Sequence, residues 1–295
     1  MPAAMSARAV KRKIRSVGNI KKITRAMQMV SAAKLKKVQL RLMELRPYSD
    51  KIVEFMKGLA AQVGALDYPL FTPRAAVKTI GIVVVMADKG LCGSYNSNMM
   101  RHVQKFLDAK KKPYKAIAIG KKAVDWFRKQ GVELKAQYHG LPTDLPFSQI
   151  KSMAKTLVDM YESGEVDEVH LLFTRYVNAI TFQPGDVKFL PIEASAAAGA
   201  PGADKARLSH EYDFEPEPAQ ILAKLTPRYV EVSFHRLILE SMSSEHAARM
   251  NAMRNATDSA SDIISSLTLQ YNNARQAGIT KELLDIVGGA EALKG

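Results

Sequence analysis

Residues 228 to 277 read RYVEVSFHRLILESMSSEHAARMNAMRNATDSASDIISSLTLQYNNARQA, fifty residues without a glycine or a proline. At about 1.5 Å per residue such a run forms a helix roughly 75 Å long, far beyond the usual helix of about 11 to 12 residues. Within it Leu239, Met242, His246, Arg249, Met253, Ala256, Ala260, Ile263, Leu267, Gln270, Ala274 and Ala277 recur at steps of three and four. That spacing is the seam of a coiled coil, and a seam predicts a partner helix.

The partner lies at the other end of the chain. Between Ala3 and Arg46 the one helix-weakening residue is Gly18, and apolar side chains recur at Ile20, Ile23, Met27 and Val30. The stripe steps across the small residues Ser31 to Ala33 and resumes at Leu35, Val38, Leu42 and Leu45, with Pro47 marking its end or a kink. Both stripes are rich in Ala, Ser and Met, so the two backbones can approach closely. An antiparallel pair with a domain at one end follows, since everything between Pro47 and Pro227 must fit between the helices. The plainer alternative packs each helix onto that domain as ordinary core, but more than five heptads in register outrun the core face of a domain of about 150 residues.

Composition describes an ordinary folded protein, with 47% hydrophobic and 24% charged residues among 295. No stretch approaches the roughly 18 uninterrupted apolar residues of a membrane span. The lone Cys92 leaves no internal disulfide and fits a reducing compartment. Charge is more informative: residues 1 to 46 hold thirteen Lys and Arg against the single acid Glu44, which is +12 of the chain's +14. A concentrated basic face implies nucleic acid, anionic lipid or an acidic protein loop as partner, or else serves solubility. The Arg-rich N-terminus also resembles a targeting segment, but the helical stripe begins within the first twenty residues and leaves no cleavable spacer.

The middle of the chain changes period. TIGIVVVM, Thr79 to Met86, is a β-branched run apolar on both faces, as a buried parallel strand requires. It is followed by the turn ADKGLCGSYN, Ala87 to Asn96, and a helix to about Lys110. Further strands are predicted at Lys115 to Ile119, near Val132 to Gln137, at Glu168 to Tyr176 and at Ile180 to Leu190, with helices at Lys121 to Lys129 and Ser148 to Glu162. This alternation predicts an α/β domain with a largely parallel sheet. The expected division is residues 1–66 as the N-terminal coiled-coil helix, 67–193 as the α/β domain, 194–218 as a flexible loop and foot, and 219–295 as the C-terminal helix and cap. Residues 194 to 206 are low in complexity, and Thr280 is placed to N-cap a separate terminal element, Ile279 to Gly295.

Chemistry is sparse. Neither GxxxxGK[ST] nor GxGxxG occurs; the turn after Met86 and Gly120-Lys121-Lys122 are the nearest candidates for holding an anion at a helix N-terminus. There is no HxxxH pair and no GxSxG, so no catalytic, cofactor or metal residue is expected. Asp88 and Lys89 stand at a strand's C-terminal edge without an identifiable partner. A binding or mechanical protein is favoured over an enzyme. A nucleic-acid-binding coiled coil is the competing reading, weakened because the first 46 residues contain no Phe, Tyr or Trp. A nucleotide-dependent enzyme on the central domain is a third, weakened by the missing glycine signatures.

Four blocks, IRSVGNIKKITRAMQMVSAAKLKK (14–37), ADKGLCGSYN (87–96), SSEHAARMNAMRNATDSA (243–260) and YNNARQAGITKELLDIVGGAEA (271–292), closely resemble the gamma subunits of F-type ATP synthases. The resemblance implies a long antiparallel coiled coil of N- and C-terminal helices beside a Rossmann-like α/β domain, with no catalytic site of its own. It implies a rotor shaft that couples proton flow to ATP synthesis on the beta subunits. The implied partners are a hexameric ring of alpha and beta subunits, the epsilon subunit and the c-subunit ring, with no nucleic acid and no cofactor. The implied location is peripheral, on the cytoplasmic side of a bacterial inner membrane. Carried over by position, Arg275, Gln276 and Met27 are implied contacts with beta, and Arg249, Thr280 and Glu282 coupling residues. Arg46, Tyr48, Tyr212 and Glu215 are implied foot contacts. The chain lacks the cysteine pair of light-regulated plastid homologues, so no thiol switch is implied.

Overall fold

The computed structural model describes residues 6–63, 69–192 and 218–292. The elements in order are α1 (Ala7–Val63), β1 (Ile80–Val85), α2 (Tyr95–Lys110), β2 (Tyr114–Ile119), α3 (Lys121–Lys129), β3 (Leu134–Tyr138), α4 (Phe147–Glu162), β4 (Glu168–Tyr176), β5 (Phe182–Leu190) and α5 (Pro218–Ala292). They form two compact units, Met1–Ser31 with Met250–Gly295, and Ala32–Arg249.

The larger unit holds a five-stranded sheet in the order β3-β2-β1-β4-β5, parallel except for β5. Strand β1 is buried at every position, which is why its sequence shows no alternation. On one face, Met99, Val103 and Phe106 of α2 and Ala123, Val124 and Phe127 of α3 cover Ile80, Ile82 and Val84. On the other, Ile150, Met153 and Leu157 of α4 and Val230, Phe234 and Ile238 of α5 cover Val83, Val85, Leu171 and Phe173. The last strand starts at Phe182, two residues later than its composition suggests. The Asn178 side chain accepts the N–H groups of Ile180 and Thr181 (2.9 and 2.7 Å), bending those residues into a hairpin turn.

In the same unit α1 and α5 run antiparallel. Ile52 and Met56 of α1 pack with Leu222 and Val232 of α5, and Asp50 pairs with Arg236 at 3.8 Å. Buried α1 positions Leu35, Val38, Ser49, Ile52 and Met56 keep the three-four spacing straight through Pro47, which lies inside the helix rather than at its end. Proline inside a helix costs about 3 kcal/mol. Burying Ile52 and Met56 returns about 1.5 to 3 kcal/mol each, enough to carry the helix past it.

In the smaller unit the two helices meet along Val10, Thr24 and Ser31 of α1 and Met253, Thr257, Ala260 and Leu267 of α5, all buried. This corrects both predicted stripes. On α1, Ile20, Ile23 and Val30 are 51%, 58% and 57% exposed. On α5, Thr257 rather than Ala256, and half-buried Ile264 and Tyr271 rather than Ile263 and Gln270, alternate with the correctly placed Met253, Ala260, Leu267 and Ala274. Small and hydroxylated residues face inward because their hydroxyls bond within the pair. Thr24 Oγ1 and Thr257 Oγ1 are 2.8 Å apart, Ser31 donates to the Met27 carbonyl (2.8 Å) and Thr257 to that of Met253 (2.8 Å). The large apolar side chains are therefore left on the outside. Thr24→Val alone is expected to cost about 1 kcal/mol, because it strands one partner of a hydrogen-bonded pair, whereas Thr24→Val with Thr257→Val should fall within a few tenths of the parent. Urea unfolding of the full chain measures both.

The helix α5 also runs on through Gly278, so the separate terminal cap does not form. Gly278, Gly288 and Gly289 all keep negative φ. A glycine without a left-handed backbone costs a helix only about 1 kcal/mol and does not stop it. Thr280 and Glu282 are consequently helix-interior positions, neither an N-cap nor a first-turn acid. The loop 194–206 and the foot residues Tyr212 and Glu215 lie outside the described residues.

Candidate functional site

Among described residues, the densest polar constellation lies at the C-terminal edge of the parallel strands, where β1 and β4 are neighbours and the order of connection reverses. In open α/β sheets that crevice takes the ligand. Here α5 fills it. Ser241, Ser243, Ser244, Ala247 and Ala248 form a buried face small enough for the helix to close on the sheet. The Tyr95 hydroxyl lies 2.8 Å from Ser241 Oγ, and Ser244 donates to the Thr174 carbonyl at 3.0 Å. Burial pushes the Tyr95 phenol well up.

One helical turn further on, Arg249 reaches across to the turn after β1. Its Nη2 donates to the Lys89 carbonyl (3.1 Å) and its Nε to that of Gly90 (3.3 Å), while Nη1 pairs with Glu245 Oε1 at 2.7 Å. The gripped turn carries Leu91 and Gly93 at φ 59° and 58°, and it buries Cys92, whose thiol is pushed up by burial. Arg249 is itself 8% exposed, so it is a buried clamp rather than a seam residue snorkelling to water. Burial raises the Glu245 carboxyl, with Asp88 adding to the rise, while Arg249 and Lys34 oppose it. Burial and the charges of Arg249 and Lys34 lower His246 to about 4.

The turn at Gly120 closes the other candidate anion site. The Asp88 carboxylate accepts the N–H of Lys121, the first residue of α3, through Oδ1 (2.8 Å), and that of Gly140 through Oδ2 (2.8 Å). The Lys122 N–H goes to the Ala87 carbonyl (3.1 Å). Asp88 thus has partners that spacing could not identify, because they arrive from two later strand ends.

His170, His235 and His246 are all lowered, chiefly by burial. The unfolded chain therefore binds protons that the folded chain refuses as pH drops below about 6.5, and stability must fall between pH 6.5 and about 4. Glu245, being raised, acts in the opposite sense but is a single group. A series of urea midpoints should decline across that window, and His246→Gln should flatten it by at most about 1.4 kcal/mol per pH unit.

The family model described as ATP synthase matches residues 6–293. The ATP synthase gamma chain of Symbiobacterium thermophilum is 42% identical over 293 residues, covering 99% of this chain and 100% of that one. The chain belongs to the ATP synthase gamma-chain family. The gamma chain of Heliobacterium modesticaldum is likewise 42% identical, over 97% of this chain and 98% of its own. A chain of the central stalk and c-ring of the Tetrahymena thermophila mitochondrial ATP synthase superposes with TM-score 0.59 at 25% identity, covering 79% of this chain and 99% of that one. A Euglena gracilis mitochondrial ATP synthase chain shares the fold, with TM-score 0.68 at 19% identity, covering 97% and 94%. As a gamma chain, the protein is a non-catalytic subunit of the ATP synthase central stalk. Among the described residues no helix is long and apolar enough to cross a membrane.

The positions carried over from the gamma-chain family do not form one site. Arg275, Gln276, Thr280 and Glu282 are exposed on α5 and Met27 is half-buried on α1, all in the smaller unit. Arg249 belongs to the larger unit. There, exposed Arg46 and Tyr48 sit on α1, and Tyr48 lines a groove of ≈ 530 Å³ with Ile52, Phe55, Ile221 and Leu225. Sequence reading missed Glu245, Ser241, Ser244 and Tyr95 as site residues. The small-residue run SSEHAA was the available signal, since small side chains in a long helix mark close approach.

Proposed function

We propose that this gamma chain is the rotor shaft through which proton flow in the membrane sector drives ATP synthesis on the beta subunits. The observation that carries it is the inverted patterning of the smaller unit. Its helices satisfy each other with small and hydroxylated residues, while Ile20, Ile23 and Val30 face outward on a helix rich in Lys and Arg, and Ile263 and Leu269 of α5 are exposed as well. Exposed apolar rows of this kind call for an enclosing partner, and the hexameric ring of alpha and beta subunits supplies one. A single shaft inside a pseudo-threefold ring presents a different surface to each beta subunit, which is the differential contact a population shift among three sites requires.

On this reading Arg275, Gln276 and Met27 contact beta, and Arg249, Thr280 and Glu282 serve coupling. Arg46, Tyr48, Tyr212 and Glu215 meet the epsilon subunit and the c-ring. Residues 67–193 form the body beside the foot, with 1–66 and 219–295 as the coiled coil and 194–218 as loop and foot. The relatives are bacterial, which supports a peripheral position on the cytoplasmic side of the inner membrane, held there through the complex.

The test is reconstitution with matching alpha and beta subunits. One copy is expected to join three of each and to raise ATP hydrolysis. Arg275→Ala with Gln276→Ala should lower the gamma-dependent rate about tenfold, or 1.4 kcal/mol of barrier. A hexamer whose rate is indifferent to this chain would sink the reading.

A further inference from the structure

A carboxylate held by both oxygens on backbone N–H groups from two separate elements is the arrangement that receives an anionic ligand in an α/β sheet. Here the anion is the chain's own. We infer that Lys121, Gly140 and the turn at Gly120 form a carboxylate cradle with Asp88 as its tethered resident ligand, and that a free monocarboxylate binds there once that side chain is removed.

Four observations shape the cradle. Its donors, the N–H groups of Lys121 and Gly140, are each 2.8 Å from a different oxygen of Asp88, so it fits a planar two-oxygen group. It lies where β1, β2 and β3 all end, beside the positive N-terminus of α3. Gly120 takes φ 92°, and a Cβ there would meet the Met86 carbonyl oxygen at 1.9 Å, so the wall is set by close approach of backbone. The neighbouring N–H groups are already used: Gly120 donates to Tyr138 (2.7 Å) and Lys122 to Ala87 (3.1 Å). No backbone N–H of residues 120–122 is left over for a phosphate's extra oxygens.

Geometry narrows the ligand further. Two backbone donors, each 2.8 Å from a different oxygen of one carboxylate, match a ligand that brings a single planar two-oxygen group. The ligand class is a small monocarboxylate, not a nucleotide phosphate. Asp88 is half-buried and Gly140 exposed, so solvent anions can reach the position. Removal of the side chain defines the probe: acetate replaces what Asp88→Gly takes away, and formate what Asp88→Ala takes away.

The experiment is thermal unfolding of the full chain with hydrogen exchange read at residues 87–96 and 139–141. Asp88→Gly should melt several degrees lower and exchange faster in both segments. Acetate should restore at least half of the loss along a saturating curve, with a midpoint on the order of 10 to 100 mM, as suits a ligand held by two hydrogen bonds. Chloride at equal ionic strength, phosphate, and acetate added to the parent chain should do little, and formate should act on Asp88→Ala. Should Asp88→Gly be recovered only when refolded in acetate, that recovery is the positive result. A folded variant that acetate leaves unchanged overturns the inference. So does rescue shared by chloride or by the parent chain, or failure to refold in either salt while Asp88→Asn folds.

Discussion

Gly120→Ala is expected to remove more than about 4 kcal/mol of stability, enough to leave most of the chain unfolded or insoluble. Gly120 sits between β2 and α3 at φ 92°, and a Cβ built on it would stand 1.9 Å from the Met86 carbonyl oxygen and 2.8 Å from the Met86 carbonyl carbon. Those atoms are backbone at the end of the central strand, whose neighbours are buried, so they cannot give way as the tip of a flexible side chain would. The same turn carries the Gly120-to-Tyr138 and Lys122-to-Ala87 hydrogen bonds that tie β1, β2 and β3 together. Gly131→Ala is the control. It has φ 69° but nothing within 4 Å, so it should lose only the left-handed conformational penalty of about 1 to 2 kcal/mol. Equal losses for the two variants, measured by urea unfolding, would show that steric closeness at Gly120 is irrelevant.

The second large effect is expected at Arg249. Its removal leaves the half-buried Glu245 without its cation and releases the carbonyls of Lys89 and Gly90, so Arg249→Ala should cost about 3 kcal/mol. Part of that loss is the stranded charge rather than the lost clamp. Glu245→Gln should therefore cost less on its own and should recover about 0.5 to 3 kcal/mol when combined with Arg249→Ala. The clamp itself is read separately, as faster amide exchange in residues 87–96 in both Arg249 variants. A strictly additive double variant with unchanged exchange in that turn would mean that the ion pair is incidental and the turn holds itself.

Both effects arise from contacts between residues far apart in the chain, and this separates what was readable in the residues from what was not. The β-branched run at 79–86, the helix at 121–129 and the strand at 168–176 lie where their composition and period place them, because each is decided by local patterning against a buried face. The two long helices were equally readable, from the runs 19–46 and 228–277, which hold no glycine or proline. Their facing sides were not. Ile20, Ile23 and Val30 make the more apolar stripe, and hydrophobicity alone assigns that stripe to the seam. The seam went to Thr24, Ser31 and Thr257: the two threonine hydroxyls bond each other, and Ser31 and Thr257 bond carbonyls of their own helices.

Local patterning along the chain was enough to place two long helices around a largely parallel α/β sheet, to gather positive charge on the first helix, and to show that neither phosphate-binding glycine motif occurs. Each of these is local and additive along the chain. Only in the folded molecule are Pro47 and Gly278 carried inside helices, the sheet's ligand crevice closed by α5 through Arg249 and Ser244, and Asp88 seated on the N–H groups of Lys121 and Gly140. Those outcomes depend on which distant groups arrive within hydrogen-bond distance. The cost of a proline or an unpaired carboxylate is fixed by its type, but whether it is offset is settled by its neighbours in space.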